Sequence, residues 1–183
     1  MSSAFDALMQ RRSIRNYDPN FVIPKEDLQK IITATLNSPS ALNFQEHDLL
    51  VITNKDKIKA IDDNLFPSLP KSFQDRFIDR QKVYGTINPI TYDCSALILI
   101  HENERAEKRW SEIDAGILSM AIMTVSKSLG YDTVCLGCIV NPIVEKLFDL
   151  KEGSLKIGVA IGKPKEKVNL HEKETLRKVK YIE

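Results

Sequence analysis

Apolar residues recur along this chain at helical and strand spacings in turn, and that alternation predicts most of its elements. Phe5, Leu8 and Met9 form a stripe behind Ser3-x-x-Asp6, which has capping-box spacing with Asp in place of Glu. A first short helix therefore begins at Ser3 and ends near Arg11 and Arg12. After a turn at Asp18-Pro19, Pro24 stands at the first position of a second helix, along which Leu28, Ile31, Ile32 and Leu36 repeat until Ser38-Pro39 stops it. Residues 49–53, Leu-Leu-Val-Ile-Thr, read as a buried strand, and Asn54 caps a helix carrying Ile58, Ile61 and Leu65.

Between Phe66 and Thr91 the pattern weakens. Pro67, Pro70 and Pro89 surround a polar helical piece near 73–83, and a mobile lid or an excursion is expected there. Residues 96–100, Ala-Leu-Ile-Leu-Ile, form the next buried strand. From Trp110 to Leu129 runs the longest helix, apolar on most sides, with small residues at Ala115, Gly116, Ser119 and Ala121; a helix without a clear polar face has to be covered all round. Gly130 suits a left-handed helix end, and strands over 133–140 and 156–161 flank a short helix over 142–147. From Lys163 the tail is strongly charged. No repeat or linker divides the chain, so a single α+β domain over 1–183 is expected.

The bulk composition narrows the partners. With 183 residues, 43% apolar and 28% charged, the chain has enough material for one ordinary core. A net charge of +1, from 26 basic and 25 acidic residues, leaves no global field to hold nucleic acid or an anionic membrane, so any bound anion needs a local site. No apolar run approaches the roughly 20 residues that span a bilayer. Arg11 and Arg12 come too early for a secretory apolar region, and three cysteines are too few for a disulfide framework. A cytoplasmic protein is expected.

Two segments concentrate polar chemistry. Arg11-Arg12-Ser13-Ile14-Arg15 puts three guanidinium groups and a hydroxyl within five residues at a helix end. Arginine suits bidentate contact with phosphate oxygens, although a solvated basic helix end gives the same pattern. Ser38-Pro39-Ser40-Ala41-Leu42-Asn43-Phe44-Gln45 offers two hydroxyls and two carboxamides, which can read a heterocycle edge or serve as a plain polar loop. Cys135-Leu136-Gly137-Cys138 has C-x-x-C spacing, but it sits in an apolar strand-like run. Without a second such pair, and with Cys94, His47, His101 and His171 scattered, thiol redox and metal roles are disfavoured.

Together the first two segments resemble the nitroreductase family of FMN-dependent enzymes, in which Arg-x-Ser-x-Arg/Lys is followed about 25 residues later by Pro-Ser-x-x-Asn-x-Gln. The resemblance extends to the long helix, the glycine-containing strand after it and the basic tail. It implies a nitroreductase-like α+β fold, a mostly antiparallel central sheet flanked by helices, in an intertwined homodimer. It assigns Arg11 to the FMN phosphate, Ser13 to the phosphate or ribityl chain, and Arg15 to the pyrimidine end of the ring. There a fixed cation stabilises the reduced flavin. Arg12 contributes mainly backbone.

By the same resemblance Pro39, Ser40, Ala41, Asn43 and Gln45 contact flavin held chiefly by the other subunit, and Leu136-Gly137 lies near the flavin N5 edge. Arg177 and Lys178 return to the phosphate, unless the tail is simply solvated. The implied activity is ping-pong electron transfer from NADH or NADPH through FMN to nitroaromatic or quinone acceptors, with no catalytic side chain and no metal. Reductive dehalogenation, flavin fragmentation and a non-catalytic FMN-binding module are the alternatives. Two places depart from the family pattern. Glu46-His47 replaces Pro and an aromatic residue, with His47 read as a surface histidine or a proton donor, and 66–91 matches no pattern.

Overall fold

The computed structural model describes residues 2–107, 109–166 and 174–183. Four strands, β1 (His47–Ile52), β2 (Ala96–Glu102), β3 (Asp132–Leu136) and β4 (Leu155–Gly162), form one antiparallel sheet in the order β1-β2-β4-β3. Central β2 shows the two-residue period of a strand buried on both faces. Leu97 and Leu99 point into one core with Ile58, Ile61 and Leu65, while Ala96, Ile98 and Ile100 point into another with Ile31 and Ile122.

Among the described residues six α-helices accompany the sheet: α1 (Ala4–Gln10), α2 (Lys25–Leu36), α3 (Lys55–Leu65), α4 (Lys71–Tyr84), α5 (Ser111–Ser128) and α6 (Pro142–Leu147). Ser3 and Asp6 form the expected capping box of α1, and Asn54 caps α3 through Lys57 N–H at 3.0 Å. Pro24 is the cap of α2, one residue ahead of the position expected. Gly130, at φ 86°, ends α5 in the left-handed region.

One sequence expectation is corrected. The strand expected over 133–140 stops at Leu136, because Gly137–Ile139 turns into a short 3-10 helix that carries Ile139 back into the core. A side chain on Gly158 of β4 would collide with Ile139 Cδ1 and stand 3.2 Å from Leu99 Cδ2, so the missing Cβ is what lets that turn seat. The excursion over 66–91 is built around α4 and tied down at its far end. Asp62 accepts the N–H groups of Ile90 (2.6 Å) and Thr91 (3.3 Å) and the Thr91 hydroxyl, while Asp93 accepts Ile87 and Asn88 N–H at 2.8 Å each.

The apolar stripes of α1 and α5 find incomplete cover within the single chain. Phe5 (70% exposed) and Met9 (61%) face away from this chain's core, and α1 buries only Ala7. On α5 the buried face is small, Ala115, Ser119 and Ser126 beside Ile122 and Met123, while Ile113 and Gly116 are exposed and Ile117 and Met120 half-buried. One face of α5 therefore has no cover within the described residues of its own chain.

Candidate functional site

The basic segment is positioned by the sheet. β3 pairs with β4 along one edge and takes Ser13 along the other, through a parallel bridge to Thr133, with Ile14 N–H donating to Thr133 O at 3.1 Å. Ile14 and Tyr17 are buried, which pins the strand-like run and sets Arg15 at a cleft of about 200 Å³. Leu136, Gly137 and Cys138 form one wall, with α4 and Tyr92 on the other. None of the described residues stands within 4 Å of where a Cβ of Gly137 would lie, so the backbone there is open to a flat ligand.

The arginines divide by role. Arg15 lines the cleft, and its guanidinium donates to Ser13 O at 3.3 Å. Arg11 lies beside the cleft wall, 3.9 Å from Met123 Sδ, and pulls the Cys135 thiol down against the burial that raises it. Arg12 donates to the carbonyls of Met9 and Arg11 at 2.8 Å each, which is the helix-end role; its Nε is buried without a partner among the described residues. Ser13 is exposed beside them. Arg15 and Arg11, with an open backbone and aromatic faces, suit a flat, anionic cofactor such as FMN.

The second segment occupies a different place. Ser38, Pro39, Ser40 and Gln45 line a separate cleft with Glu46 and Asp114, sharing no residue with the first. Leu42, Asn43 and Gln45 all have left-handed backbones, with φ of 48°, 57° and 49°. Each such residue costs about 1–2 kcal/mol, so the loop stands only because its surroundings fix it. Asp114 of α5 accepts Ala41 N–H at 2.9 Å, Ser40 Oγ accepts Gln45 N–H at 3.0 Å, and Asn103 Nδ2 donates to Gln45 O at 3.0 Å. Fully buried Glu46 accepts Glu107 N–H at 2.6 Å through one oxygen, and its other oxygen has no partner among the described residues. Burial, with Asp114 nearby, pushes the Glu46 carboxyl up.

His47 is neither a surface residue nor free. It is buried, with Nε2 3.1 Å from Ser111 Oγ, which in turn donates to Glu102 at 2.6 Å, and burial lowers its pKa. Burial also pushes the Cys138 thiol up to about 11, which disfavours thiolate chemistry. No cluster of potential metal ligands occurs among the described residues. His171 lies outside them. Arg177 and Lys178 are exposed and line neither cleft. Lys163 instead sits over the Phe21 ring and Lys165 bonds Gly85 O.

Sequence reasoning passed over Asp114, Glu46 and Asn103, which hold the loop, and Phe73, Arg76, Phe77 and Arg80, which line the first cleft. The second group has a signal in its i, i+3, i+4, i+7 spacing within an otherwise polar helix. For the first, the signal is an acid inside the most apolar helix of the chain.

Fold and clefts define an α+β protein with an arginine-rich binding edge beside β3 and a second polar loop site elsewhere on the same chain. The Nitroreductase family model matches residues 8–163, and the chain belongs to that family. A Bacillus subtilis protein named as an NAD(P)H nitroreductase, YodC, is 24% identical over 189 residues, covering 89% of this chain and 90% of its own. The CLA biosynthesis enone reductase of Lactiplantibacillus plantarum is 28% identical over 182 residues, covering 86% and 84%. Among solved structures, a nitroreductase with bound FMN from Desulfitobacterium hafniense superposes with a TM-score of 0.84 at 21% identity, over 100% of both chains. No helix of the described residues is long and apolar enough to cross a membrane.

Proposed function

We propose that this protein is a homodimeric, FMN-dependent oxidoreductase that carries electrons from NADH or NADPH to flat nitroaromatic or quinone-type acceptors in a ping-pong cycle. The observation that carries it is that Arg15 and the open backbone at Gly137 line one cleft, with Arg11 just beyond. When bound, FMN supplies the redox chemistry, accepting electrons from the nicotinamide and passing them to the acceptor. The protein supplies position and charge. Arg11 and Ser13 hold the phosphate end, Arg15 stabilises negative charge at the pyrimidine end, and Gly137 allows close approach of the peptide backbone.

Two copies complete the site. Pro39, Ser40 and Gln45 line a cleft apart from Arg15, and a second subunit brings that loop, with Ala41 and Asn43, to the first subunit's flavin. The exposed Phe5, Leu8, Met9 and Leu36 and the uncovered face of α5 supply the apolar surface such a dimer buries. The tail residues Arg177 and Lys178 reach the phosphate within that assembly, and the dimer works in the cytoplasm.

The test is the visible spectrum of the purified protein, followed by anaerobic addition of NADH and then NADPH. Yellow flavin that bleaches with either donor supports the reading. A colourless protein that fails to bind added FMN overturns it.

A further inference from the structure

Helix α4 sorts its charges by face. Its two acids each have a lysine one turn away: Lys71 pairs with Asp75 at 2.8 Å and Lys82 with Asp79 at 3.6 Å. Phe73, Arg76, Phe77 and Arg80 fall on the other face, at i, i+3, i+4 and i+7, and all four line the cleft that Arg15 also lines. Neither Arg76 nor Arg80 has an ion-pair partner among the described residues. Among the described residues the cleft lining includes three guanidinium groups and no carboxylate.

The arginines are also placed against rings. Arg76 Cζ lies 5.9 Å from the centroid of Phe73, and Arg80 Cζ lies 5.9 Å from that of Phe77. Arg80 is half-buried and lines the cleft with Tyr92. Burial raises the Tyr92 hydroxyl, and Arg80 opposes that rise. Unpaired guanidinium groups beside aromatic faces match a flat molecule that carries a carboxylate, because a planar fork can grip both carboxylate oxygens. Arg15 is already assigned to the flavin, which leaves Arg76 and Arg80 for whatever shares the cleft with it.

Building on the flavin reading, we propose that Arg76 and Arg80 select electron acceptors bearing a carboxylate beside the flat group to be reduced, with Phe73 and Phe77 packing on the flat portion. These are specificity-determining residues; they do not take part in the electron transfer.

The test compares 4-nitrobenzoate with its neutral isostere 4-nitrobenzamide on the FMN-loaded protein, for wild type, R76Q/R80Q and the charge-keeping R76K/R80K. Two charge-assisted contacts predict a preference for the carboxylate of about ten-fold or more in kcat/KM. In R76Q/R80Q that preference disappears mainly through KM, with the amide changed less than about two-fold, and R76K/R80K keeps part of it. Flavin potential and FMN affinity stay the same.

Equal losses for both acceptors, or a wild type without preference, overturn the proposal. So does a lowered flavin potential, which would assign the arginines to the cofactor, or a loss confined to NADPH relative to NADH, which would assign them to the donor's phosphate. Calorimetric titration of the two compounds into wild type and R76Q/R80Q reads the same preference without turnover. A protein that binds no FMN yet favours 4-nitrobenzoate through these arginines therefore separates failure of the flavin reading from failure of this one.

Discussion

The carboxylate of Asp114, in the first turn of α5, accepts the backbone N–H of Ala41 at 2.9 Å across 73 residues of sequence. This bond joins the helix with an uncovered apolar face to the loop that bears the Pro-Ser-x-x-Asn-x-Gln motif. It also holds that loop at the edge of its left-handed stretch. Asp114→Ala is expected to release the loop and weaken FMN binding by about ten-fold, roughly one charge-assisted hydrogen bond, while Asp114→Asn keeps an acceptor and loses less. Fluorescence titration of FMN into both variants measures this, and equal affinity in all three proteins would refute the clamp.

Arg11 and Arg15 stand at opposite ends of the basic segment and are expected to separate two properties. Arg15→Ala lowers the flavin reduction potential more than it weakens binding, because its charge acts on the reduced ring. Arg11→Ala weakens binding more than it moves the potential, because it serves the phosphate. Potentiometry and FMN titration on the two variants would reveal an inverted assignment.

Surface apolar groups on α1 predict the quaternary state. Leu8→Asp is expected to shift the protein toward monomer in sedimentation at micromolar concentration, and to lose most bound FMN in the same step. Its fold should persist in far-UV circular dichroism, since Leu8 is about half exposed in the single chain. A monomeric Leu8→Asp protein that keeps its flavin would show that one chain suffices.

Buried Asp62 gives a pH signature. Burial pushes its carboxyl up to about 6 despite its three hydrogen-bond donors, whereas in an unfolded chain an aspartate titrates near about 3.9. The folded state thus holds the proton more tightly. This group's contribution falls as pH rises from about 4 to about 6, by up to about 3 kcal/mol, and is flat above. Urea denaturation at pH 4.5 and pH 7 should show that slope in the wild type and a smaller one in Asp62→Asn.

The period of the apolar positions made the elements legible, because sheet and helix cores obey it: Leu97 to Ile100, Ile58 to Leu65 and Leu28 to Ile31 all lie where their spacing puts them. Motif resemblance singles out Arg15 and Leu136-Gly137 as candidates, and they share a cleft. His47 was misread as a surface residue because its burial depends on Ser111 and Glu102, both distant in sequence. The end of β3 was missed because the apolar run continues through Ile139 while the backbone turns, which hydropathy does not register. The polar helical piece expected near 73–83 is α4, but its role was not legible because its cleft-facing side alternates aromatic and cationic residues, where an ordinary core helix would be apolar.

Gly158 gives the mutational map of this protein a remote hot spot. A single added methyl group there touches neither cleft, yet it strikes Ile139 and so pushes on the turn that begins at Gly137. Random substitution would thus find some of its strongest effects on the binding edge inside a core strand. A designer hoping to reshape the cleft would leave that glycine fixed and vary the face of α4 instead.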